Sequence, residues 1–322
     1  MSTIRLLSDE DVKRLVPLDS TIDLIEAAFR ADARGRSEAF PVVRTAIEEH
    51  RGIFGIKSGR LLDSGTLGLK AGGYWRENPA LRELGAHQST IVLFDPETGR
   101  PEALLRANYI TEARTGAAGA VAASALANPD ASTVAVVGAG RQARVQIECL
   151  AKRFSLAEVF IFARRPEAAQ QIEAEFNGAP FRVRVAKTPE EAISGADIIV
   201  TTTPSFEPVL ADDWVTPGAH INAMGSDTRG KGELDPQLLG RARFFADNVE
   251  QSRTLGEAQR LAAECSICGT LGAVLTGENE GRLQRDDITV FDSTGVTFQD
   301  LAMARQALDR ARETGAGAEV AF

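Results

Sequence analysis

Residues 132–151, STVAVVGAGRQARVQIECLA, decide the fold. Thr133 to Val137 are small and β-branched, the composition of a strand buried on both faces. Gly138-Ala139-Gly140 then permits a tight turn with close backbone approach, and the segment after it has helical spacing. Gly138 and Gly140 would let a pyrophosphate approach the backbone. Ala143 stands where the third glycine of a dinucleotide fingerprint lets helix and strand pack, and the helix N-terminus attracts phosphate. A G-x-G-x-x-A alone is a weak signal, but here it follows a strand, opens a helix and sits in a βαβ unit.

Working outward, the strand runs TVAVVG, EVFIFA, RVRVA, DIIVTTT, HINAMG, RFFAD and ITVFD recur between Thr133 and Gly295, each followed by a helical or turn segment. That alternation predicts a Rossmann-type, doubly wound parallel sheet with helices on both faces, an α/β fold. The flanks differ. A helix is expected over Asp19 to Arg34, apolar at Ile22, Leu24, Ile25, Ala28 and Phe29. Strand-like pieces follow in IFGIKSGR, LGLKAGGYW and STIVLFDPETGRPEALL. Asp95-Pro96-Glu97-Thr98-Gly99 between two apolar runs is a hairpin signal. ITEARTGAAGAVAASALA reads as a small-residue helix and LAMARQALDRARE as another, whereas ETGAGAEVAF reads as a frayed tail. The alternation sets the Rossmann domain at 118–299, between α+β flanks at 1–117 and 300–322.

Composition limits the partners. The 322 residues are 43% hydrophobic and 25% charged, with a net charge of −9. An acidic chain without a Lys/Arg run repels nucleic acid and anionic membranes. No apolar run approaches the roughly 20 residues that span a bilayer, and MSTIRLLSDEDV lacks the apolar core of a signal peptide, so a cytoplasmic protein is expected. Cys149, Cys265 and Cys268 cannot form a disulfide framework. The lone C-x-x-C of Cys265 and Cys268 has no second ligand pair nearby, so structural thiols and no metal are expected.

The residues also nominate a site. In VFIFARRPEAA the second strand ends on Ala163, Arg164 and Arg165, where an NAD-preferring protein usually carries an acid. Two guanidiniums in that place favour a 2′-phosphate and hence NADPH. Outside the nucleotide domain, Arg44, Lys57, Lys70 and Arg114 lie in strand, glycine-rich or small-residue contexts. Together they suit a carboxylate receptor. Asp227, after the fifth Rossmann strand, is the candidate general acid or base, against the alternative of a turn former ahead of Thr228 and Arg229.

LGLKAGGYWRENP, LFDPETGRPEAL, TEARTGAAGAVAASALA, VAVVGAGRQA, NAMGSDTRGKGELD and FDSTGVTFQDLA, in this order, resemble the ornithine cyclodeaminase and mu-crystallin family over nearly the whole chain. The resemblance implies a homodimer whose split domain binds substrate and dimerises around a dinucleotide-binding domain. Carried to matching positions, it makes Arg44, Lys70 and Arg114 the substrate-carboxylate and catalytic cations, and Asp227 the acid/base group. Thr202, Met224, Ser226, Ser293 and Gly295 would surround the nicotinamide, with Thr115, Ala139, Arg141, Gln142, Thr203 and Gly225 as further cofactor contacts. GGYWRENPALRELGAHQSTIVLFDPETG is most similar to the iminosuccinate reductase branch, which implies NADH where Arg164 and Arg165 argue for NADPH. His87, Gln88 and Ser89 would suit a second substrate carboxylate. The expected reaction is NAD(P)H-dependent reduction of a small 2-imino acid, with iminosuccinate to L-aspartate foremost. Ornithine cyclodeaminase, alanine dehydrogenase and a non-catalytic mu-crystallin-like binder of NADP(H) are the alternatives.

Overall fold

The structure, a computed structural model, describes residues 3–262 and 266–322. Cys265 of the C-x-x-C lies outside the described residues; Cys149 is buried and Cys268 half-buried. The chain runs through β1 (Thr3–Leu7), α1 (Asp9–Leu15), α2 (Leu18–Ala33), β2 (Ser37–Ala39), β3 (Val43–Ile47), β4 (Gly52–Leu61), β5 (Thr66–Trp75), α3 (Asn78–Leu81), β6 (His87–Phe94) and β7 (Pro101–Arg106). The long helix α4 (Asn108–Leu126) leads to β8 (Thr133–Val137), α5 (Arg141–Ala151), β9 (Glu158–Phe162), α6 (Pro166–Glu175), β10 (Arg182–Val185), α7 (Pro189–Ile193), β11 (Ile198–Thr201) and β12 (His220–Ala223). Then come α8 (Pro236–Arg241), β13 (Arg243–Ala246), α9 (Val249–Leu255), β14 (Gly269–Thr270), α10 (Leu271–Thr276), β15 (Thr289–Asp292), α11 (Thr297–Thr314) and β16 (Ala318–Ala321). Two compact units result, one comprising residues up to Arg114 with Val296–Phe322, the other Thr115–Gly295. Among the described residues no helix is long and apolar enough to cross a membrane.

The second unit holds a parallel sheet of order β10-β9-β8-β11-β12-β15-β13-β14. Every strand run expected between Thr133 and Gly295 lies in it. β11, β12 and β15 are buried along their whole length, which is why their residues read as continuous apolar or small runs without alternation. Ile199, Ile221, Phe244 and Val290 fill the core on one side. The strand order reverses at β8 and β11, which places a switch point beside the glycine turn, where ligands of open α/β sheets bind.

The first unit is built on a mostly antiparallel sheet of order β16-β1-β7-β6-β5-β4-β2, with β3 beside β4. Asp95 makes the expected hairpin, its Oδ1 accepting from the Glu97 amide at 2.8 Å and the Thr98 amide at 3.3 Å. Helix α11 covers one sheet face: a Cβ on Gly68 would come within 2.8 Å of Leu301 Cδ2. Helix α2 packs on α11, with Phe29 and Phe298 edge to face at 5.3 Å between centroids.

The expected fray of ETGAGAEVAF is corrected. Ala318–Ala321 pair antiparallel with β1 as an edge strand. Gly315 and Gly317, at φ 72° and 79°, turn the chain back, and Arg5 fixes it by donating to Ala316 O at 2.8 Å and pairing with Glu319 at 3.0 Å. The partner strand lies at the opposite end of the sequence, so local composition carries no trace of the pairing.

Candidate active-site elements

The glycine turn has the form a dinucleotide phosphate needs. Gly138 sits at φ 118°, and a Cβ there would meet Thr202 Oγ1 at 2.5 Å, so backbone freedom and close packing both demand glycine. Gly140 is the N-cap of α5, faces open space and supplies no side-chain cap, which leaves the first-turn amides for an anion. Ala143 is buried beneath them, Arg141 is exposed and Gln142 half-buried. Gly116 and Gly119 let α5 press against α4, where Gln146 Nε2 donates to the Thr115 carbonyl at 3.0 Å. At the end of β9, Arg164 and Arg165 are exposed, and neither guanidinium pairs with a carboxylate among the described residues. These groups fit a dinucleotide at this turn.

The carboxyl ends of β11, β12 and β15, neighbours in the sheet, carry Thr202 and Thr203, Met224 to Ser226, and Ser293 to Gly295. Buried acids that the sequence reading missed tie these ends together. Glu233 accepts from Thr201 Oγ1 (2.7 Å), Thr203 N (2.6 Å), Thr203 Oγ1 (2.7 Å) and Gly225 N (2.8 Å). Glu257 accepts from the Ser226 hydroxyl and from the Glu233 amide at 2.8 Å. Asp247 takes the Thr294 hydroxyl at 2.7 Å and the Gly295 amide at 2.6 Å. Burial, then the Glu257 charge, pushes Glu233 up to about 7; burial likewise raises Glu257, and burial with the Glu257 charge raises Asp292 well above the usual carboxylate range. Asp227, on the loop these acids anchor, accepts from Lys231 Nζ at 2.7 Å and Thr228 Oγ1 at 3.0 Å.

In the first unit, register places the remaining candidates. Arg44 pairs with Gly55, Gly55 with Gly72 and Gly72 with Ser89; Lys57 pairs with Lys70 and Lys70 with Ile91; Tyr74 pairs with His87. Directly paired residues share a face and alternate residues return to it, so Arg44, Lys57, Lys70, His87 and Ser89 occupy the face that α11 covers. Gly55 and Gly72 leave the row between Arg44 and Ser89 without side chains. At Gly72 a Cβ would run into the backbone at Gln88 and Ser89. Gln88 is the exception among the sequence candidates: strand alternation puts its side chain on the opposite face from His87 and Ser89. There its amide donates to Gly85 O at 2.9 Å and accepts from Arg106 at 3.1 Å.

Arg114, in α4, reaches the same cluster. Its Nε lies 3.3 Å from Asp300 Oδ1 and its Nη1 donates to Gln299 Oε1 at 3.2 Å, while Lys70 Nζ lies 2.6 Å from Asp300 Oδ2. Burial alone would raise Asp300, but the Lys70 ammonium and Arg114 guanidinium outweigh it and hold the carboxyl below its ordinary value. Asp300 was not singled out from sequence. The signal was there: TFQDLAMA is otherwise uncharged, and an acid in a helix buried on all sides must be paired.

The family model described as the ornithine cyclodeaminase/mu-crystallin family matches residues 3–315. An iminosuccinate reductase of Paracoccus denitrificans is 39% identical over 321 residues, covering 98% of this chain and 99% of its own. The structure of the Paracoccus denitrificans iminosuccinate reductase in complex with NAD+ matches with a TM-score of 0.91 and 36% identity over 100% of both chains. An alanine dehydrogenase of Archaeoglobus fulgidus is 35% identical over 98% of both chains. An archaeal alanine dehydrogenase dimer with bound NAD matches with a TM-score of 0.92 and 33% identity over 100% of both.

Proposed function

We propose that this chain, which belongs to the ornithine cyclodeaminase/mu-crystallin family and is an NAD(P)-dependent oxidoreductase, reduces a small 2-imino dicarboxylic acid, iminosuccinate foremost, to the L-amino acid. The observation that carries the reading is the single sheet face bearing Arg44, Lys57, Lys70, His87 and Ser89, with Arg114 joined to it through Asp300. Arg44, Lys70 and Arg114 would hold the carboxylate next to the imine carbon. A second carboxylate would meet His87 on that face, with Ser89, whose hydroxyl donates to Asn108 Oδ1 at 3.4 Å, beside it. When bound, NAD(P)H supplies the hydride. Asp227 would keep the imine nitrogen protonated, because an iminium carbon is the better hydride acceptor. The loops after β11, β12 and β15 would hold the nicotinamide, and Arg164 with Arg165 favours NADPH.

Incubation with oxaloacetate, ammonia and NADPH, followed by chiral amino-acid chromatography, tests the reading. L-Aspartate is expected; ornithine converted to proline with no aspartate from oxaloacetate would replace it by the cyclodeaminase reading. Arg164→Ala should weaken NADPH use by the order of 1–3 kcal/mol, the range for a lost charged hydrogen bond, with NADH nearly unaffected. Equal losses on both cofactors would remove the 2′-phosphate role.

We read the protein as a homodimer. The sheet face opposite α11 carries Val43 and Leu104, exposed at 54% and 38%, with Ile56, Leu69 and Val92 half-buried beside them. A second copy is the occupant that such an apolar sheet face fits, and size-exclusion chromatography with light scattering reads it directly. Use of NAD(P)H and the absence of a membrane-length apolar helix among the described residues fit a cytoplasmic site of action.

A further inference from the structure

The acid that binds two of the substrate cations has a place in the chemistry of Lys70. Asp300 is the sole charge in the stretch Thr297–Ala304, which is buried residue by residue. Its side chain is 1% exposed, and each carboxylate oxygen lies within ion-pair distance of one cation, Oδ2 of Lys70 and Oδ1 of Arg114. Gln299, one residue earlier, accepts from Arg114 through Oε1. The reverse amide orientation would set its NH2 against the guanidinium, so the donor and acceptor ends are fixed by charge.

The charged groups set about Lys70 are Lys57, its partner across β4 and β5, Arg114 from α4 and Asp300 from α11, with Arg44 of β3 on the same sheet face. Lys57 is the direct cross-strand partner of Lys70. Two ammonium groups side by side repel, and burial also disfavours the charged form, so without a counter-charge one lysine would tend to lose its proton. A neutral lysine beside a bound 2-oxo acid is a nucleophile. Its Nζ adds to the carbonyl carbon, water leaves, and a C=N bond joins enzyme to ligand. A reductase that takes its imine from an oxo acid and ammonia must avoid that bond.

We infer that Asp300 is a positioning residue that keeps Lys70 an ammonium donor for the substrate carboxylate and thereby bars Lys70 from condensing with the 2-oxo acid. The inference rests on the reductase reading for its ligand, yet the state of Lys70 is measurable without turnover.

Competitive labelling of the full-length protein with acetic anhydride across a pH series, read by peptide mass spectrometry, gives the pH at which each lysine becomes reactive. In the native protein Lys70 should become reactive at higher pH than the exposed Lys13. In Asp300→Asn the onset at Lys70 should fall by about one pH unit or more, while Asp300→Glu, which keeps the charge, should track the native protein. With oxaloacetate and cyanoborohydride, without ammonia or cofactor, the Asp300→Asn variant should acquire a stable adduct at Lys70 that the native protein lacks. A purely structural role for Asp300 would lower stability and leave the Lys70 onset in place, which overturns the inference. So does a native Lys70 onset at or below that of Lys13, a test needing no variant. If the onset behaves as stated but no imino acid is reduced, the reductase reading fails and the Asp300 assignment stands; reduction with an unmoved onset gives the converse.

Discussion

Asp300 in the first unit and Glu233, Glu257 and Asp292 in the second are buried to the same degree, yet their carboxyls move in opposite directions. Burial disfavours the charged form in both places. Asp300 has Lys70 and Arg114 within ion-pair distance, whereas the second group is held by threonine and serine hydroxyls and backbone amides, with neighbouring acids adding repulsion. What surrounds a buried acid, and not its depth, sets its charge state. The two arrangements differ in kind: the first unit balances two cations on one acid, while in the second hydroxyls and backbone amides fasten the strand ends to acids.

The largest effect is expected from removing the acid that faces cations. Asp300→Ala takes the acid away from two nearly buried cations, Lys70 and Arg114, and loss of one partner of a buried pair costs about 3–5 kcal/mol. Urea unfolding of native and variant protein reads this; a loss below about 1 kcal/mol would mean that solvent already screens the cluster.

A smaller effect is expected at Glu233→Gln. The amide turns one acceptor into a donor facing groups that themselves donate, which costs about 1–3 kcal/mol and loosens the ends of β11 and β12. Asp227→Asn provides the contrast on the same loop, since that side chain is 42% exposed: kcat should fall with stability nearly unchanged. A Glu233→Gln variant as stable as the native protein would show that the four donors find other acceptors.

The pH dependence separates the two regions by sign. Glu233, raised from 4.5 to about 7, contributes stability that is fully present below 4.5 and lost as pH rises through about 7. Asp300, lowered from 3.8, contributes stability present above 3.8 and lost as pH falls through its folded value. Unfolding free energies across this range should therefore flatten between pH 4.5 and 7 in Glu233→Gln, and on the acid side in an Asp300 variant. Flattening of the same limb in both variants would contradict the opposite assignments.

The second unit's architecture was legible because a strand buried on both faces must be apolar along its length, and TVAVV, IIVT and TVFD have no other reading once turns separate them. The glycine turn was legible for a similar reason, since Gly138 at φ 118° leaves an unambiguous residue type. The candidate site in the first unit was half legible. Arg44, Lys57, Lys70 and Arg114 stood out by context, but their gathering on one face depends on strand register, which also separates Gln88 from His87 and Ser89. Glu233 and Glu257 lie in polar stretches, GKGELD and TLGEAQR, whose composition resembles solvated loops. Their burial comes from distant strand ends closing over them, and one-dimensional patterning does not carry that. β16 escaped for the same reason.

The most direct test of the substrate assignment is the ratio of kcat/KM for oxaloacetate with ammonia to that for pyruvate with ammonia, measured in the native protein and in His87→Ala. A pocket built to hydrogen-bond a second carboxylate rejects a substrate lacking it far more strongly than an apolar pocket rejects a missing methylene, so the native ratio should be at least about 10²-fold in favour of oxaloacetate. His87→Ala should collapse it by impairing the dicarboxylate more than pyruvate. Equal reduction of pyruvate and oxaloacetate by the native protein, or a ratio unmoved by the His87 substitution, would contradict a second-carboxylate subsite on that sheet face.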